Sequence, residues 1–117
     1  MNDITIYHNP RCSKSRQTLQ LIEQSGITPE IVLYLEQPPT PVQLKALLQK
    51  LGIDARALLR KGETEYAQLG LDNPALSDDA LIAAMCSNPR LIERPVVVRG
   101  ARAVLGRPPE NVLGLLS

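Results

Sequence analysis

The chain of 117 residues has no phenylalanine and no tryptophan, and its only aromatic side chains are Tyr7, Tyr34 and Tyr66. Its core must therefore be aliphatic. The lack of stacking residues, together with the lack of a dense basic stripe, argues against nucleic acid as a partner. No apolar run approaches the ~20 residues that span a bilayer, which argues against a membrane role. The N-terminus, with Asp3 early, lacks the apolar stretch of ~7–15 residues that a signal peptide needs. A cytoplasmic location follows as the expectation. Cysteine is scarce as well: Cys12 and Cys86 stand too far apart in sequence for a CxxC redox pair or a paired metal-ligand motif. In a reducing compartment both are expected as free thiols.

Charge is missing by region rather than overall. The net charge is +1, yet residues 62–89 contain no Lys or Arg, and residues 94–107 contain no Asp or Glu. The second stretch holds Arg94, Arg99, Arg102 and Arg107, and Arg11, Lys14 and Arg16 surround Cys12. Basic residues gathered in two stretches are the footprint of an anion site, although any single arginine of this kind can equally be a solvated surface residue.

What is present suits one compact domain. Hydrophobic residues make up 44% of the chain, enough for a single core at this length. Ile4–Tyr7 reads as a short strand ended by Asn9-Pro10. A helix is predicted from about Ser13 to Gln24, with Leu19, Leu21 and Ile22 as its apolar stripe and Gly26 as its stop. Ile31–Leu35 is a near-continuous apolar run of the kind buried parallel strands show, which completes a β-α-β unit with a right-handed crossover. Thr40, Pro41 and Gln43 spell a capping box, and Leu44, Leu47, Leu48 and Leu51 follow at helical spacing up to Gly52. Asp54 caps a predicted helix over Ala55–Lys61, and a helical turn spans Glu63–Leu69. Ser77 opens a helix with Leu81, Ile82 and Met85 on its face, closed by Asn88-Pro89. Val96–Val98 and Arg102–Leu105 flank Gly100 as a hairpin, and a last helix runs from about Pro109 to Leu116. The predicted order is β-α-β, helices, then β-β-α.

Cys12 falls in the loop between the first strand and the first helix, where open α/β sheets bind ligands. Unpaired N–H groups and the helix dipole place about half a positive charge there. A free thiol with pKa ~8.5 is only ~3% thiolate at pH 7, and a helix N-terminus with Lys14 and Arg16 beside it lowers that pKa. Ser15 makes the pattern CxxS, which keeps a hydrogen-bonding side chain but offers no resolving thiol. A cysteine-phosphatase loop is excluded, because it needs arginine six positions after the nucleophile and Thr18 stands there. Cys86, with no basic neighbour, reads as packing. His8 has no partner that would make a metal site. It is as readily a loop histidine as a group tuning Cys12 by charge or hydrogen bond. Arg94-Pro95 is a candidate cis peptide that base rates alone do not support.

These residues resemble the glutaredoxin-coupled arsenate reductase family of thioredoxin-like proteins. The resemblance runs along essentially the whole chain: Ile4–Pro10, the Cys12 loop with Ser15 and Arg16, Leu33–Glu36, Ala57–Lys61, Gln68–Leu71, Arg94–Val98 and Gly106–Pro108. It implies an α/β fold of thioredoxin/glutaredoxin type with a central mixed sheet, as a single domain carrying a helical insertion at about 40–90. It implies Cys12 as the nucleophile toward arsenate, and Arg60, Arg94 and Arg107 as the oxyanion-binding residues. It further implies His8 and Ser15 as supports of the cysteine, with Arg16 in the matched loop, and Pro95 as the cis-proline beside the active thiol. No bound cofactor or metal is expected; glutathione serves as co-substrate and glutaredoxin as partner, with the protein a monomer. The run Cys12-Ser13-Lys14, where arsenate-matched members have Cys-Gly-Thr, and the end at Ser117 are similar to a short housekeeping subgroup. Two rival activities are a glutathione-linked thiol oxidoreductase of other substrate, and a non-catalytic redox regulator that binds RNA polymerase. Against the regulator, position 15 is serine, so the CxxC switch of such relatives is missing, whereas all three arginines are kept.

Overall fold

A computed structural model describes residues 3–116. The chain divides into two compact units, one made of residues up to Gln37 and from Arg94 onward, the other of Pro38–Glu93.

The first unit is built on a four-stranded mixed sheet of order β2-β1-β3-β4. β1 (Ile4–Tyr7) runs parallel to β2 (Glu30–Val32) and antiparallel to β3 (Val96–Arg99), which pairs antiparallel with β4 (Arg102–Leu105). Between β1 and β2 lies α1 (Ser13–Gln24), ended by Gly26 at φ +87°, a left-handed conformation that glycine adopts at little cost. Alternation sends Ile4 and Ile6 to one face of β1. There they join Val97, Ile22 of α1, Val112 and Leu115 in one core. At ~25 cal/mol per Å² of apolar area buried, each such side chain contributes ~1.5–3 kcal/mol. The C-terminal segment begins as a 3-10 turn, Pro109–Val112, before α6 (Leu113–Leu116).

The second unit is helical. α2 (Pro41–Leu51) carries the complete capping box, with Gln43 N–H donating to Thr40 Oγ1 and Thr40 N–H donating to Gln43 Oε1. Leu44, Leu47 and Leu48 are its buried face. α5 (Asp78–Ser87) buries Leu81, Ile82 and Met85 and packs on α2 and on α3 (Ala55–Leu58). α4 (Thr64–Gln68) is a short turn of helix with no buried residue.

Two sequence expectations are corrected. The run Ile31–Leu35 is not a buried strand: β2 ends at Val32, lies on the sheet edge, and leaves Ile31 45% and Leu35 38% exposed. Glu36 and Gln37 N–H both donate to Leu33 O, and these turn bonds draw the chain off the sheet. The helix expected over Ala55–Lys61 stops at Leu58. Leu59 instead pairs with Ile92, through Arg60 N–H to Leu91 O and Glu93 N–H to Leu58 O. Those long-range bonds satisfy the backbone that a longer helix would have paired locally.

Candidate active site

Asn9-Pro10-Arg11-Cys12 forms a turn closed by Cys12 N–H donating to Asn9 O at 3.0 Å. Asn at the first position and Pro at the second suit a type I turn. The Asn9 Oδ1 accepts from Arg11 N–H at 3.0 Å, which stiffens it further. Cys12 is then the N-cap of α1, in extended conformation, and the first turn of that helix contains no acidic residue. The electropositive helix end therefore meets the sulfur without a competing carboxylate.

Ser15 anchors this arrangement from beneath. Fully buried, it accepts a hydrogen bond from Asn9 N–H at 3.0 Å and lies 2.6 Å from His8 Nδ1. Burial, then the charge of Arg16, hold His8 below the usual imidazole range, with Glu23 opposing weakly. Arg16 donates to Pro10 O at 2.8 Å and so clamps the outside of the turn.

Antiparallel pairing brings the other groups in. The end of β1 lies opposite the start of β3, with Tyr7 against Val96, and that start lies opposite the end of β4, with Val96 against Leu105. Residues just outside these ends, Arg94 and Arg107, thus arrive beside the Cys12 loop although more than eighty positions separate them from it. Arg107 Nη1 lies 3.9 Å from Cys12 Sγ and 3.4 Å from Arg94 O. Burial alone pushes the Cys12 thiol up. The backbone N–H of Ser15, the Arg94 guanidinium through its hydrogen bond and charge, and the backbone N–H of Lys14 outweigh burial and hold the thiol below its ordinary value. The cationic help thus comes from Arg94 rather than from the Lys14 and Arg16 side chains expected to supply it.

The Arg94-Pro95 peptide is cis, and so is Arg107-Pro108, a bond for which the sequence carries no cis expectation. Thr18 and Gly106 also meet here, a contact that their separation in sequence hides. Thr18 is fully buried and its hydroxyl lies 2.8 Å from Lys14 O and 3.3 Å from Gly106 O. A signal existed: Ser15, Thr18 and Ile22 share one face of α1, and two polar residues on a buried face need partners. A Cβ at Gly106 would lie 2.5 Å from Thr18 Oγ1 and 2.8 Å from Pro95 Cγ. We therefore expect Gly106→Ala to destabilise the fold by ~1–3 kcal/mol through overpacking, read as a loss of several degrees in Tm by calorimetry.

Arg60 belongs to the second unit. Its Nη1 lies 2.6 Å from Glu93 Oε1 and its Nε 3.3 Å from Glu63 Oε1, while Glu63 also pairs with Arg90. Cys86 is half-buried on α5, and burial pushes its thiol up, in contrast to Cys12.

The profile of the ArsC family matches residues 7–115, a span that includes every candidate residue named above. The chain belongs to the ArsC family. This ArsC-family chain is 48% identical to an arsenate reductase of Neisseria meningitidis over 99% of its own length and 100% of that protein. It is 52% identical to the uncharacterized protein YfgD of Escherichia coli, covering 97% of this chain and 96% of the other. A solved structure of an arsenate reductase from Vibrio cholerae superposes with a TM-score of 0.93 at 53% identity, over 95% of each chain. The fold is thioredoxin-like, as the sequence resemblance implied. Among the described residues no helix is long and apolar enough to cross a membrane.

Proposed function

We propose that this chain reduces arsenate to arsenite, with Cys12 as the nucleophile and an external thiol, glutathione, completing the reduction in a cytoplasm that keeps thiols reduced. The observation that carries the reading is a thiol held below its ordinary pKa at a helix N-terminus, beside two guanidinium groups. Thiolate and arsenate repel, so positive charge must gather around both before sulfur reaches arsenic. Arg94 and Arg107 supply it, and each charge-assisted hydrogen bond to the oxyanion is worth ~1.5–3 kcal/mol. Arg60 stands as the third oxyanion arginine on the resemblance alone, since its own guanidinium is held by Glu63 and Glu93.

In the first step the Cys12 thiolate attacks arsenic. An S–As bond forms, one As–O bond breaks, and that oxygen leaves as water after taking up protons; arsenic stays pentavalent. In the second, the thiolate of glutathione attacks Cys12 Sγ. An S–S bond forms, and the S–As pair of electrons passes to arsenic, which departs as trivalent arsenite. CxxS leaves the resulting mixed disulfide with no internal thiol to resolve it, so glutaredoxin reduces it by exchange and frees the Cys12 thiolate.

The test is NADPH oxidation coupled through glutathione reductase, glutaredoxin and glutathione, with and without arsenate. Arsenate-dependent oxidation with stoichiometric arsenite is the expected result. A folded protein whose Cys12 alkylates rapidly near neutral pH, yet oxidises no NADPH on arsenate addition, would reassign the substrate.

A further inference from the structure

The turn that presents Cys12 is also one wall of a cleft. Its volume is about 270 Å³, and it opens between the segment following β1 and the segment following β2. Pro10, Leu33 and Leu35 form its apolar lining, while Arg11 and Glu36 place one charge of each sign on it. Both charged residues are exposed, and among the described residues neither side chain has an ion-pair partner. Arg11 N–H and Glu36 N–H are bound within their own turns, so the two side chains are carried on short, hydrogen-bonded scaffolds.

We infer that this cleft seats the α-amino-acid end of the incoming thiol: the carboxylate on Arg11, the ammonium on Glu36, and the methylenes against Pro10, Leu33 and Leu35. Three features lead there. A guanidinium fork suits a carboxylate, and a carboxylate suits an ammonium, so the cleft is complementary to a zwitterion rather than to an oxyanion alone. The volume lies just under the ~300 Å³ at which pockets for whole drug-sized ligands begin, which fits one end of a small thiol and leaves its sulfur outside. Finally, the ends of a β-turn lie within ~7 Å, so a head group held along Asn9–Arg11 leaves its sulfur within reach of Cys12. The inference rests on the proposed function only in requiring an external thiol. Glutathione, through its γ-glutamyl end, and free cysteine share the recognised chemistry; 2-mercaptoethanol lacks it.

Exchange without arsenate separates this inference from the choice of substrate. The Cys12 thiolate attacks a disulfide, an S–S bond forms to Cys12, and the departing thiol leaves as thiolate. Mixed-disulfide formation at Cys12, followed by mass spectrometry, is compared for oxidised glutathione, cystine and hydroxyethyl disulfide in the wild type, Arg11→Ala and Glu36→Gln. The expected result is a loss of ~10-fold or more with a disulfide carrying the head group and less than ~2-fold with hydroxyethyl disulfide, each charge-assisted contact being worth ~1.5 kcal/mol or more. Alkylation by iodoacetamide should not change. Loss confined to oxidised glutathione assigns the cleft to the γ-glutamyl end, and loss confined to cystine assigns it to free cysteine. Equal losses for all three disulfides, or none, overturn the inference whatever the arsenate assay returns.

Discussion

Cys12→Ser is expected to bring arsenate-dependent NADPH oxidation down to the background of the coupling enzymes, not merely to slow it. The reason is electronic as well as kinetic. A serine hydroxyl is not ionised near neutral pH, so attack on arsenic is suppressed by orders of magnitude. Any arsenate ester that did form could only hydrolyse back to arsenate, because the two electrons reach arsenic only when an S–S bond forms in place of S–As. No serine can make that bond. Cys12 is half-buried in a turn whose closing bond uses its backbone N–H, so the variant should fold with an unchanged Tm. Cys86→Ser is the matching control: its thiol is pushed up by burial on α5, and activity should stay within ~2-fold. Arsenite production by a folded Cys12→Ser protein would remove the cysteine mechanism altogether.

Arg94→Ala should give the next largest loss, because in the proposed mechanism this guanidinium acts on both reactants. It holds the Cys12 thiol down by hydrogen bond and charge, and the proposal gives it a charge-assisted bond to the oxyanion as well. Losing charge-assisted bonds worth ~1.5–3 kcal/mol each lowers kcat/KM for arsenate by ~10²-fold. The pH dependence of iodoacetamide alkylation separates the two effects. In the folded protein the Cys12 pKa is depressed, so thiolate reactivity sets in at lower pH than for a free thiol; removing Arg94 must shift that onset upward. Arg94→Lys keeps the charge but not the planar fork, and should fall between wild type and alanine in both readouts. Arg107→Ala should cost ~10-fold in kcat/KM and move the alkylation onset upward less than Arg94→Ala does, since Arg107 meets the sulfur through a long 3.9 Å contact. Unchanged alkylation in Arg94→Ala would mean that the backbone N–H groups of Ser15 and Lys14 suffice to hold the thiolate.

The parts of this molecule legible in the sequence are those whose physics is local. Thr40, Pro41 and Gln43 name the start of α2 because each satisfies or forgoes a backbone N–H within four residues. Asn9-Pro10 marks the turn, and the cysteine after it lands on a helix N-terminus for the same reason. The illegible parts depend on partners far along the chain. Leu59 leaves the helix because Ile92 offers a backbone pair. Ile31 is exposed on an edge strand, a position in the sheet that its own residues cannot reveal. Thr18 looks like a failed phosphatase arginine in sequence, and in space it is a buried hydroxyl against Gly106 O.

By itself, then, the order of residues determined an aliphatic α/β chain, the helix starts, and a lone CxxS thiol with basic residues around it. Only tertiary structure decided which cation serves that thiol. Lys14 and Arg16 are close in sequence, yet both are exposed and the Arg16 guanidinium is taken up by Pro10 O, whereas β3 and β4 return Arg94 and Arg107 to the sulfur. Sequence distance governs hydrogen bonds within a turn, but charge acts through space, and space is set by how strands pair.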